Sequence, residues 1–139
     1  MKIVEKSDIK PIIERYPDNV KTRFIEFKEL LLNTASALED VTKIDEDIKW
    51  GEPSYMSNIG SPVRFGWSEK RSDQFRIHFI CSTNLVETFH RVYPDLFLFD
   101  GNRGLIFDPD KSLESEPLNN CLKMALRYKK VRNLPDLGA

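Results

Sequence analysis

The stretch Ile44–Ser57, IDEDIKWGEPSYMS, decides how this chain folds. Up to the Trp50-Gly51 pair, side chains alternate. Ile44, Glu46, Ile48 and Trp50 fall on one side and Lys43, Asp45, Asp47 and Lys49 on the other, which is the two-residue period of a strand. Gly51 accepts backbone dihedrals closed to other residues and Pro53 lacks a ladder donor, so the pair reads as a bend or a tight turn. Glu46 shares the apolar side, where an unpaired carboxylate is costly. It is expected to ion-pair with Arg64 or Arg103, with a helix lysine as the alternative partner, and so to lock the sheet. The competing readings make it a pocket acid, or let a strand bulge turn it outward. Tyr55 can place its hydroxyl at the edge of an apolar slot.

The same period continues C-terminally. SPVRFGW sets Val63, Phe65 and Trp67 against Arg64, and SDQFRIHFICS sets Phe75, Ile77, Phe79 and Cys81 against Arg76, His78 and Ile80, with the polar SEKRSD between them. Each is a strand with one apolar face, as where an antiparallel sheet covers a core on one side. N-terminally the period is helical. SDIKPIIERY is a short helix with Ser7 as candidate cap. After Pro17, with Asp18 as cap, Val20, Phe24, Phe27, Leu31 and Leu38 make the apolar stripe of a long amphipathic helix. Beyond the strands, STNLVETFHRVYPD is a helix turned inward by Leu85, Val86 and Phe89. LFLFDGNRGLIFD is a hairpin whose two runs are expected to be covered on both faces or poorly exposed. A closing helix from Pro117 carries Leu118, Cys121, Leu122, Ala125 and Tyr128 inward and basic residues at its end. The predicted class is α+β, a largely antiparallel curved sheet backed by helices in the order α-α-β-β-β-(β)-α-β-β-α, forming a single domain over residues 1–139.

Composition fits that class. A chain of 139 residues, 40% hydrophobic and 31% charged, can bury a core without a disulfide or metal staple. A net charge of −1 gives no field that implies nucleic acid or a membrane surface. Cys81 and Cys121 both lie in apolar patterns and read as core thiols. The polar N-terminus lacks a signal peptide and no apolar run spans a bilayer, so a cytoplasmic protein is expected.

E-D-I-K-W-G-E-P-S-Y, Glu46 through Tyr55 with its preceding strand, resembles the acidic-x-hydrophobic-x-Trp-Gly-x-Pro-x-Tyr signature of the YdhG-like family of bacterial domains of unknown function. NRGLIF, residues 102–107, is similar to the family's late hairpin, and the closing basic helix to its last element. The resemblance covers nearly the whole chain. It departs from the pattern at the longer NTASALEDVTKID connection and at SLESEP. It implies an α+β sheet domain, and some members are described as frataxin-like iron chaperones. Here the acidic group Glu39, Asp40, Asp45 and Asp47 is interrupted by Lys43 and Lys49, and no metal ligand set is expected. His78 and His90 lack ligand partners at metal spacing.

No nucleophile elbow, phosphate loop or dinucleotide fingerprint is present. The residues singled out for a ligand site are Glu46, Trp50, Tyr55, Arg64, His78 and Arg103, gathered where Trp50 meets the second sheet face. The function expected is a non-enzymatic binding domain without cofactor, for an unknown small ligand or protein. The alternatives are the iron chaperone, a protein-interaction module, or an enzyme with an acid–base pair of Glu46 and His78.

Overall fold

In the computed structural model, which describes residues 1–139, the segment after Val41 folds as the alternation dictates. Strand β2 (Lys43–Lys49) returns as β3 (Glu52–Ser57), with Lys49 opposite Glu52, Ile48 opposite Pro53 and Glu46 opposite Tyr55. Strands β4 (Val63–Gly66) and β5 (Phe75–His78) continue the antiparallel meander, and the hairpin β6 (Leu98–Asp100) and β7 (Gly104–Phe107) completes it with β7 against β5. An N-terminal strand β1 (Lys2–Glu5) adds to β2 in parallel, giving the order β1-β2-β3-β4-β5-β7-β6. The class is α+β, as expected. The block of strands between the second and third helices has four members. β1 was not expected, since its four residues, KIVE, are too few and place one apolar residue on each side, so no apolar face shows.

The helices are α1 (Lys10–Glu14), α2 (Asp18–Ser36), α3 (Leu85–Val92), α4 (Glu116–Leu126) and α5 (Tyr128–Val131). Val20, Phe24, Phe27, Leu31 and Ala35 follow the helical period of α2 and are all buried. They lie on a run of rings contributed by the inner sheet face. Phe24 and Phe27 meet Phe65, Phe65 stacks on Phe75 at 4.8 Å, and Phe75 stacks on Phe107 at 5.4 Å. Phe89 of α3 packs on Phe79, and the buried side of α4 joins the same core. Asp18 is the first residue of α2 rather than its cap, which is Pro17. Ser7 does not cap α1. Its hydroxyl donates to Asp47 Oδ1 at 2.6 Å instead. Tyr128 opens α5 after a break at Arg127, where the β3–β4 loop takes over the end of α4: Ser61 N donates to the Ala125 carbonyl and Lys129 N to that of Ile59.

Three further expectations are corrected. Trp50 does not continue the Ile44–Ile48 face, because the strand ends at Lys49 and the indole sits in the turn, 88% exposed. Cys81 is exposed because it lies in the turn beyond β5, which ends at His78, although Phe79 still points into the core; Cys121 is buried. The late hairpin is covered on one face only. Leu105 is buried inward while Leu96 and Leu98 are exposed, because no helix crosses the outer side of the sheet.

The turn itself is the tightest constraint. Trp50 (φ 54°) and Gly51 (φ 74°) both lie in the left-handed region, as a two-residue hairpin requires. A Cβ at Gly51 meets nothing, so a substitution there suffers from backbone strain alone. Gly51→Val is expected to cost about 1 to 3 kcal/mol in urea unfolding. Trp50→Asn, which tolerates this conformation, is expected to gain about 1 kcal/mol. An unchanged Gly51→Val protein would remove the turn's special backbone role.

Candidate functional site

The register separates the expected site residues onto two faces. Glu46 and Tyr55 are cross-strand partners on the core side, and both are buried. The Tyr55 hydroxyl donates to Glu46 Oε2 at 2.7 Å, and Lys28 Nζ of α2 reaches the same oxygen at 2.7 Å. Burial, then the hydrogen bond and charge of Glu46, push the Tyr55 hydroxyl far above the ordinary tyrosine range, so it stays protonated and keeps donating to Glu46. The partner of Glu46 is therefore the helix lysine and not Arg64 or Arg103. Those two project from the opposite face of the sheet, and no bulge interrupts β2 to bring Glu46 round to them. Above Lys28 and Glu46 lies an open cleft of about 660 Å³ closed on its other side by residues 5–10 and α1. Its acids and lysines are mixed, and its charged floor is already paired.

Trp50, Arg64, His78 and Arg103 do come together, on the outer face. They line a second open cleft of about 660 Å³ with Glu52, Asp100 and the chain at 79–81. Strand register places them. Arg64, His78 and Gly104 are successive cross-strand neighbours, and Gly104 pairs onward with Asp100. Glu52 Oε1 accepts from Arg64 Nε at 3.0 Å and lies 2.9 Å from His78 Nδ1. An ionised carboxylate only accepts, so Nδ1 of the ring carries a proton, and Nε2 is turned toward Asp100, 4.0 Å away. Asp100 Oδ2 accepts from Arg76 Nε at 3.1 Å, and Arg103 approaches the other oxygen at 3.5 Å.

Glycine makes this arrangement possible. A Cβ on Gly66 would collide with Glu52 Oε2 and press on the His78 ring, so only glycine lets the carboxylate lie across β4 to reach its partners. Burial pushes the Glu52 carboxyl upward. The hydrogen bond and charge of His78, followed by those of Arg64, outweigh burial and hold it below the ordinary glutamate range.

Three arginines face two carboxylates here, an excess of one positive charge before any charge on His78. Arg64 and Arg76 are both engaged through Nε, and their terminal nitrogens have no protein acceptor. Glu52 and Asp100 were not among the expected site residues, whereas the alternation of β5 already set Arg76 on the face of His78. Glu52 alternates with Ser54 and Met56 on the charged side of β3, a signal the Trp-Gly-Pro pattern obscured. Asp100 belongs by sequence to a turn, and only the β6–β7 pairing carries it to His78.

The acidic residues considered for iron do not converge. Asp40 is held by Arg127 and Asp47 by Ser7 and Lys49, and no group of three or more histidine, cysteine or acidic side chains is placed to hold a metal ion. His90 contacts the ring of Phe99 at 4.5 Å. No helix is long and apolar enough to cross a membrane. No family model, curated protein or solved structure matches the chain.

Two outcomes are expected. Glu46→Ala strands Lys28 and Tyr55 and should lower unfolding free energy by about 2 to 4 kcal/mol, less than a wholly buried pair because Lys28 is 33% exposed. Glu46→Gln, which can still accept from Tyr55, should lose clearly less, and equal stability of wild type and Glu46→Ala would refute the pairing. For Glu52 the folded-state pKa is depressed. Its stabilisation is present above the unfolded carboxylate range and is lost as pH falls through the lowered folded value. Glu52→Gln should therefore flatten the acid limb of a melting-temperature profile, and a limb as steep as that of wild type would contradict this.

Proposed function

We propose that the protein is a non-enzymatic, cytoplasmic binding domain of the YdhG-like kind its sequence resembles, and that it binds a small anion in the outer-face cleft. The observation that carries the reading is the use of Arg64, which lines the cleft, and of Arg76, which stands beside it on Asp100. Each is fixed by its Nε to a carboxylate, which orients the guanidinium and leaves its two terminal nitrogens without an acceptor. Such a fork is preorganised for two oxygens of a carboxylate or phosphate. Glu52 and Asp100 hold the forks in place, and the excess positive charge favours a ligand of low negative charge.

A second reading is favoured by one observation, the Glu52–His78 contact with Nε2 turned to the cleft. It gives a carboxylate-oriented imidazole of the kind that serves as a general base. Glu46 cannot take part in that pair from the core face. A pH-dependent activity lost in both Glu52→Gln and His78→Gln would favour the enzyme. The iron-chaperone reading has no comparable grouping of ligands in its support, and the interaction-module reading has only scattered exposed apolar residues such as Leu98 and Met56.

The test of anion binding is a calorimetric titration with inorganic phosphate and with acetate. Saturable binding is expected that weakens with added salt and falls about tenfold or more in Arg64→Gln, as loss of a charge-assisted contact would give. Binding indifferent to Arg64→Gln, in a variant that keeps the wild-type fold by circular dichroism, would sink the reading.

A further inference from the structure

We propose that the ligand of the outer-face cleft is a small organic monoanion built on a flat aromatic ring, with the ring against Trp50 and the acid group on Arg64; this rests on the anion-binding reading above. The argument starts from a cost. The two central positions of this hairpin turn suit Asn-Gly, Asp-Gly or Gly-Gly, and a bulky residue in the left-handed region is an outlier. Trp50 occupies such a position at φ 54°. The fold recovers nothing for it, because the indole is almost wholly exposed and shares in none of the ring contacts that bind Phe24, Phe27, Phe65, Phe75 and Phe107 together. Strain of this kind, held at a residue with no packing role, points to a role in recognition.

The indole supplies what the rest of the cleft lacks. The other side chains there that reach solvent are polar or charged (Arg64, Glu52, His78, Asp100 and Arg103) or aliphatic and small (the half-buried Ile80 and the exposed Cys81), and none offers a flat aromatic face like the indole. Phe79 lines the cleft only from within the core. A ligand that is apolar throughout would strand the guanidinium nitrogens, and a bare inorganic anion would leave the ring face unused. A planar ring carrying one carboxylate satisfies both groups at once, with stacking on the indole and two oxygens on the Arg64 fork. Charge sets the limit on the acid. Glu52 and Asp100 lie in the cleft floor beside the three arginines, so one negative charge is matched and a polyanion meets repulsion. Arg103 is the most exposed of these cations and can close over the ring's second face.

The experiment compares benzoate, cyclohexanecarboxylate and inorganic phosphate in chemical-shift titrations of the full chain. The two acids have the same charge and similar size and differ in the flat ring. Benzoate is expected to shift the Trp50 indole N–H and to bind roughly two- to tenfold tighter than cyclohexanecarboxylate. Trp50→Leu, which removes no core contact, should erase that difference while both acids still bind, and Arg64→Gln should weaken both. Equal affinities for the two acids, with Arg64→Gln still weakening each, would overturn the aromatic ligand and leave the anion site standing. No response of the cleft resonances to any of the three probes would overturn both.

Discussion

Trp50 and Gly51 reverse the chain in two residues, so Lys49 must face Glu52, and every side chain along β2 and β3 takes its side of the sheet from that register. A slip of one residue would exchange the faces. Glu46 would leave Tyr55 and Lys28 for solvent, and Glu52 would turn into the aromatic core. The two carboxylates six positions apart therefore have opposite surroundings because of one turn. Inside, Glu46 joins a tyrosine hydroxyl and a helix ammonium and ties the sheet to α2. Outside, Glu52 joins Arg64 and His78 and orders the floor of a cleft.

The remainder of the architecture follows from covering the sheet on one side only. All the large core rings, from Tyr55 through Phe107, point toward the helices, so the other face is left to residues that can meet water. Side by side on that face, its charges partner one another across strands. Arg64 pairs with Glu52 and Arg76 with Asp100, and His78 stands between the two carboxylates. These cross-strand ion pairs are largely shielded from water, their side chains only 13 to 22% exposed. Their consequence is orientation, since each arginine bound by Nε has only its outer edge to offer a ligand.

Much of this was legible in the residues. The period of two from Lys43 to His78 and the period near 3.6 from Val20 to Leu31 are strong because each element meets a single apolar layer. The placement of Arg64, Arg76 and His78 on the second sheet face followed from the same alternation. What escaped has physical reasons. Alternation predicts faces only while the strand lasts, so Trp50 and Cys81, one and three residues past the ends of β2 and β5, went to the wrong side. Cross-strand partners depend on register and topology. Lys28 lies eighteen positions from Glu46, and Asp100 lies twenty-two from His78; neither spacing has a local signature. The strand β1 is held by backbone pairing with β2, to which its side chains contribute little pattern.

Glu52, positioned by the turn, fixes His78 in the floor of the outer-face cleft. The most direct measurement is the nitrogen NMR spectrum of the His78 ring in its neutral form, recorded for the wild type and for Glu52→Gln. The proton is expected on Nδ1 in the wild-type protein, with that preference lost or weakened in the variant. A proton on Nε2, or a tautomer indifferent to Glu52→Gln, would contradict it.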